Sequence, residues 1–144
     1  MIEQDTVKLL RECDAGAKMG ISSIKDVEEY VKSDGLKKLL GDCKEEHQKL
    51  EREMQDRLAR CGDEGKNPSP VAKGMSWMKT NMKLAMHESD HTIADLITDG
   101  CNMGVKTLNR YLNQYEAADE FSKDIAKRLI KLEAELAVNL REYL

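Results

Sequence analysis

The sequence has few aromatic residues, few prolines and no long apolar run. One Trp, one Phe, four Tyr and two prolines stand among 144 residues, while 35% of the residues are charged. This composition is typical of helical bundles rather than of β-sandwiches or barrels. No apolar run approaches the roughly 20 residues that a membrane-spanning helix needs. The length matches one domain, so residues 1–144 are predicted to form a single all-α bundle domain.

The chain also lacks a strong charge of either sign. Its formal net charge is -4, and no block of Lys or Arg is dense enough to attract a phosphate backbone. We therefore expect neither nucleic acid nor a membrane as a partner. Residues Met1 to Asp5 contain neither a basic stretch nor an apolar region, so no signal peptide is indicated. A cytoplasmic location is the resulting expectation.

The cysteine pattern gives no sign of a disulfide framework or of a redox motif. The four cysteines are far apart in sequence and form no CxxC pair; they are Cys13, Cys43, Cys61 and Cys101. With no route to an oxidising compartment, reduced thiols are expected.

Apolar residues at three- and four-residue spacing predict two helices in the first half of the chain. The first helix extends from about Asp5 to Val31 and the second from about Leu36 to Cys61. Between them, Ser33-Asp34-Gly35 forms a short predicted turn. Such a short connection places two helices side by side and antiparallel.

A polar segment rich in glycine, residues 62–69, separates these helices from the second half. Ser69 and Pro70 suit the start of a shorter, Met-rich helix that continues to Met86. Two more helices are predicted, from about Ser89 to Tyr115 and from Phe121 to Tyr143. About 25 residues between Gly62 and Met86 are enough to return along a bundle about 40 Å long. The predicted fold is therefore an antiparallel four-helix bundle with a crossover helix between its second and third helices.

Two pairs of glycines lie inside predicted helices. The pairs are Gly16 with Gly20, and Gly100 with Gly104. Glycine inside a helix costs about 1 kcal/mol relative to alanine, so this spacing suggests that another helix approaches closely there.

Residues 87–91 match H-E-x-x-H, a zinc-binding spacing with a glutamate base. Helical periodicity places Glu88 and His91 away from the apolar stripe, and no third ligand can be assigned. The pattern is therefore interpreted as solvated residues at a helix start rather than as a metalloprotease site.

Polar residues interrupt the apolar stripes near the middle of several helices. Asp14 flanks the stripe of the first helix, and His47 takes a core position in the second with Glu46 beside it. Glu133 flanks the stripe of the fourth helix. Antiparallel packing would bring these residues to a similar depth, near Cys101. One interpretation is a metal site; the other is that His47 pairs with Asp14 or Glu133 and fixes the helix register.

This arrangement resembles the ferritin-like superfamily, whose bundles hold two irons between antiparallel helix pairs. The resemblance implies that Asp14, His47 and Glu133 occupy ligand positions of such a centre. The candidate metal site, for iron, manganese or zinc, adds Glu46 to these three, with Cys101 as a neighbour. The sequence departs from the family pattern, since Lys44 stands three residues before His47 and the fourth helix has no histidine. The di-iron ligand set is therefore incomplete.

Three functions from different classes follow from these patterns. The leading hypothesis is a ferritin-like scaffold or interaction module, with a degenerate or absent metal centre, that forms a homodimer or binds another protein. The second is a metal-dependent redox or metal-handling protein. The third is a redox sensor based on Cys13, Cys43 or Cys101, which needs two thiols whose α-carbons lie within about 7 Å. No catalytic residue is assigned.

Overall fold

Four long helices make up most of the structure, a computed structural model that describes residues 2–67 and 89–144. They are α1 (Ile2–Val27), α2 (Asp34–Arg60), α3 (Ser89–Gln114) and α4 (Glu120–Asn139). Short 3-10 helices follow α1 at Glu28–Tyr30 and α4 at Arg141–Tyr143. The described ranges contain no strand, so the all-α prediction is confirmed. The predicted crossover helix, together with His87 and Glu88, lies outside the described residues.

Side-chain caps and glycines set the helix ends. Ser33 caps α2 by accepting a hydrogen bond from the Leu36 backbone N–H, so α2 begins at Asp34. The prediction that Asp34 and Gly35 belong to a turn is therefore wrong. Beyond the other end of α2, Gly62 has a φ of +73°, a left-handed conformation that suits glycine.

Buried apolar side chains form two core clusters. The first cluster combines the end of α1, the start of α2, the start of α3 and the end of α4; it includes Ile24, Leu36, Leu40, Ile93, Ile97, Leu136 and Leu140. The second combines the opposite ends of the same helices; it includes Leu9, Leu10, Leu50, Met54, Leu58, Leu108, Ile125 and Leu129. The middle of each helix therefore lies between the two clusters.

Each of the four helices packs against at least two others. Helix α1 packs against α2 and α3, while α4 packs against the same two helices from the other side. Helices α1 and α4 also touch across the bundle. This packing exposes two residues that the sequence placed on apolar stripes, Cys61 and Gly100. None of the described helices is both long and apolar enough to cross a membrane.

Candidate functional site

A buried histidine and a buried glutamate meet between the two core clusters. His47 lies in α2 between Cys43 of the first cluster and Leu50 of the second. Its ring Nε2 is 2.7 Å from Oε1 of Glu133, a residue of α4. The exposed fractions are only 1% for His47 and 9% for Glu133. Of the four predicted metal ligands, this is the pair that the structure brings together.

The other ring nitrogen of His47 fixes how the pair shares its protons. Nδ1 lies 2.8 Å from the Cys43 carbonyl oxygen, which can only accept, so Nδ1 carries a proton. A second proton must then lie between Nε2 and the Glu133 carboxylate. The Cys43 thiol also lies 3.5 Å from Nδ1. Burial by itself lowers the pKa of His47, but side-chain hydrogen bonds with this thiol and with Glu133, together with the Glu133 charge, outweigh it and raise the pKa to about 10. The pair is therefore an imidazolium and a carboxylate at neutral pH.

Gly20 of α1 provides the space for the His47 ring. A Cβ atom at Gly20 would lie 2.8 Å from both Cδ2 and Nε2 of that ring, closer than real contacts allow. The same Cβ would lie 3.5 Å from Oε1 of Glu133. Helix α1 thus closes the ion pair from a third side, and it can do so only with glycine at this position.

Two buried cysteines, Cys101 and Cys13, are protonated thiols. Burial, the Glu133 charge and a hydrogen bond to Glu133 raise the pKa of Cys101 far above its ordinary value. Burial and the neighbouring acidic residues Glu12 and Asp14 likewise raise the pKa of Cys13 to about 12. Because the thiolate is the reactive form, neither side chain is suited to rapid oxidation. The exposed thiol is Cys61.

Asp14, the predicted ligand on α1, has a different role. It is fully buried, and its Oδ2 accepts hydrogen bonds from the Lys66 backbone N–H at 3.0 Å and from the Lys18 amine at 2.7 Å. Gly65, with a φ of +90°, packs directly on this carboxylate oxygen. Oδ1 has no hydrogen-bond partner in the part of the chain that the structure describes. Asp14 therefore anchors the segment that follows α2.

The remaining candidate residues lie at the surface. Glu46 is exposed and pairs with Lys49, one helical turn along α2. His91 is also exposed. Within residues 2–67 and 89–144, no group of three His, Cys, Asp or Glu side chains is arranged to hold a metal ion. The donor set around His47 does not fit a di-iron centre, because it offers one carboxylate and an imidazole whose two nitrogens are already engaged.

A cavity of about 260 Å³ opens beside the ion pair, in the groove between α1 and α3. His47 and Glu133 form part of its lining, together with Cys101 and mostly apolar or small residues. On α1 the lining extends from Glu12 to Ile24, about 18 Å at 1.5 Å per residue. Lys66 and Tyr111 lie at the Glu12 end. The cavity is thus elongated and mostly apolar along its walls, with polar groups at its middle and at the Glu12 end.

Sequence reasoning missed most of this cavity. Its wall includes Met19, Ser23, Met103 and Thr107, none of which stands out by residue type or spacing. The glycine pairs were the sequence feature that could have indicated the cavity. All four of these helical glycines line it; they are Gly16, Gly20, Gly100 and Gly104. Of these four glycines, Gly20 is the one at which an added Cβ would make a tight contact, and that contact is with the His47 side chain rather than with a helix backbone.

Comparison of the chain with protein family models, with curated proteins and with solved structures gives no match in any of the three.

Proposed function

We propose that this chain is a ferritin-like bundle in which the His47–Glu133 ion pair replaces the metal centre, and that it serves as a scaffold or binding module rather than an enzyme. The observation that carries the proposal is the hydrogen bonding of His47. Both ring nitrogens are engaged within the protein, at 2.8 Å to the Cys43 carbonyl and at 2.7 Å to Glu133. A metal at His47 would have to displace one of these partners.

The directions of the helices support the ferritin-like part of the proposal. Helix α2 contributes Leu36 to the first core cluster and Leu58 to the second. Helix α3 follows the same order, with Ile93 in the first cluster and Leu108 in the second. Two consecutive helices that run in the same direction need a connection that returns along the bundle, about 40 Å for a helix of 27 residues. Such a crossover distinguishes ferritin-like bundles from simple up-and-down bundles.

The surroundings of the pair support a structural role in place of catalysis. A buried ion pair between two apolar clusters fixes which residues of α2 and α4 lie opposite each other, because any slip would bury an unpaired charge. Cys101, whose thiol is protonated, and Gly20, which has no side chain, border the pair without adding an acid, base or nucleophile in reactive form. The resulting framework holds the groove between α1 and α3 open for a binding partner.

The proposal extends to a cytoplasmic location and to a homodimer. The described cysteines are all free, which fits a reducing compartment. Exposed apolar side chains outside the cavity, including Val138 and Leu144, offer contact area for a second copy. Light scattering coupled to gel filtration gives the mass in solution. A mass of two chains supports the homodimer, and a mass of one chain contradicts it.

Elemental analysis tests the absence of a metal centre. The full chain is purified without chelator and without a metal-affinity step, then analysed for iron, manganese and zinc, before and after incubation with each metal. We expect no stoichiometric metal and no uptake that depends on His47. A matched His47→Gln variant identifies the site, since metal that is stoichiometric in the natural chain and lost in the variant would replace this proposal with the metal-handling function.

A further inference from the structure

The cavity between α1 and α3 has the features of a small-molecule site. It measures about 260 Å³, just below the range of about 300–1,000 Å³ that is usual for ligand pockets. Its walls are mostly apolar or small. Polar groups lie at its middle, where His47 and Glu133 reach the lining, and at one end, where Lys66 is already paired with Glu12. Apolar walls with a few convergent polar groups are the usual composition of such sites.

Three of the four glycines of the wall are not explained by packing. A Cβ at Gly16 or Gly104 would make only ordinary contacts, at 3.9 Å and 3.6 Å. At Gly100, which is exposed, no described atom lies within 4 Å of an added Cβ. Each of these glycines costs helix stability relative to alanine. An occupant that passes along the groove accounts for them, because it needs the space that three methyl groups would fill.

The hydrogen bonding at the middle of the cavity decides which head group fits. Both nitrogens of His47 already donate, one to the Cys43 carbonyl and one to Glu133, so no donor is left there for an anionic head group. Because the charges of His47 and Glu133 compensate each other at 2.7 Å, the middle of the cavity offers an anion no net attraction. The Glu133 carboxylate has further lone pairs and can accept a hydrogen bond from a neutral hydroxyl. A cationic head group would instead compete with the His47 imidazolium for the same carboxylate.

We propose that this cavity binds a small, elongated, neutral molecule with an apolar chain and one hydroxyl group, and that the hydroxyl donates to Glu133. The elongated shape follows from the lining, which covers about 18 Å of α1 from Glu12 to Ile24. This proposal rests on the binding-module part of the proposed function, for which it names the class of occupant, and it does not depend on the homodimer.

Methionine methyl groups make the binding measurable by NMR. Met19 and Met103 line the cavity, whereas Met54 is fully buried in the second core cluster and does not. The full chain, labelled at its methionine methyl groups, is titrated separately with 1-octanol, octanoate and octylamine. We expect saturable shifts at Met19 and Met103 with 1-octanol, little change at Met54, and binding of both charged compounds at least about tenfold weaker.

Two glycine variants provide a matched test of the location. Gly100→Leu places a side chain into the cavity from a position where a Cβ has space. Gly41→Leu makes the same change in α2, where no described atom lies within 4 Å of an added Cβ and the residue does not line the cavity. Both variants should fold, since leucine is the better helix former. We expect Gly100→Leu to weaken 1-octanol binding about tenfold or more and Gly41→Leu to leave it unchanged.

Three results would overturn the proposal. They are the absence of saturable shifts with 1-octanol, binding of octanoate or octylamine at least as tight as that of 1-octanol, and unchanged 1-octanol binding in a folded Gly100→Leu variant. Circular dichroism of both variants separates a blocked cavity from a failure to fold.

Discussion

His47 and Glu133 are 86 positions apart in the chain, and their side chains meet with Nε2 2.7 Å from Oε1. This contact joins the middle of α2 to the middle of α4, between two clusters of apolar side chains. Both residues are buried, so each charge is stabilised by its partner and not by water. The pair therefore sets the register of the two helices.

Removal of one partner should be more costly than removal of both. His47→Leu or Glu133→Leu alone leaves a buried, unpaired charge and should lower the free energy of unfolding by about 3–5 kcal/mol. The double variant replaces the pair with apolar side chains and should recover at least about 1 kcal/mol relative to the sum of the single effects. Urea unfolding of all four proteins measures this coupling. Strictly additive effects would show that the two residues do not stabilise each other.

The raised pKa of His47 predicts that stability falls as the pH rises. The pKa is about 10 in the folded chain and near 6.5 in an ordinary, unfolded setting. The folded state therefore keeps a proton that the unfolded state releases, and the stability from the pair is complete below pH 6.5 and lost as the pH passes through 10. The slope between these values approaches about 1.4 kcal/mol per pH unit.

The pH series needs a control, because Cys13 and Cys101 also have raised pKa values in the folded chain. Above about pH 9 the unfolded chain ionises these thiols while the folded chain keeps them protonated, and this too lowers the free energy of unfolding. Urea unfolding between pH 6.5 and 8.5 avoids most of that effect. The His47→Leu/Glu133→Leu double variant should show a flatter dependence than the natural chain over this range. Equal slopes in the two proteins would rule out His47 as the group responsible.

Gly20→Ala should disturb the pair from the side of α1. The added Cβ would lie 2.8 Å from the His47 ring, so the ring or the helix must move. We expect a loss of about 1–3 kcal/mol in unfolding free energy, as is usual for overpacked cores. Gly41→Ala is the matched control, since its Cβ meets no described atom and the change should stabilise α2 by up to about 1 kcal/mol. Thermal unfolding compares the two, and equal stabilisation of both would contradict the geometry at Gly20.

Asp14→Ala should release the segment that follows α2. The variant removes the acceptor for the Lys66 backbone N–H and for Lys18, at a cost of about 1–3 kcal/mol. Limited trypsin digestion followed by mass spectrometry should show faster cleavage after Lys66. Asp42→Ala, which breaks an exposed pair with Lys38, is the control and should leave that cleavage rate unchanged. A cleavage rate in Asp14→Ala equal to that of the natural chain would show that Asp14 is not the anchor.

The spacing of apolar residues was enough to predict the helices and the core position of His47. It also placed Asp14 and Glu133 at the edges of their stripes, where a side chain could reach water. In the structure both are buried, because each meets a partner distant in sequence: His47 for Glu133, and the Lys66 backbone for Asp14. Periodicity gives the apolar face of one helix, but the rotation of each helix against its neighbours depends on tertiary contacts.

The glycine pairs also show that a sequence pattern does not reveal which tertiary neighbour a residue has. Their spacing predicted the close approach of another helix, and the structure instead places Gly16, Gly100 and Gly104 around a cavity. A missing side chain is the same signal in the sequence whether a helix or an open space lies beyond it. Only the positions of α1 and α3 relative to each other separate the two.

The protonation state of His47 is the most direct test of the central claim, that an ion pair occupies the middle of the bundle. Nitrogen-15 NMR of the histidine ring, in chelator-free full chain across pH 6 to 11, reports whether each ring nitrogen carries a proton. We expect Nδ1 and Nε2 both to be protonated at pH 7 and the ring to titrate near pH 10. A ring that titrates near 6.5, or an Nε2 without a proton at pH 7 together with bound metal, would contradict it.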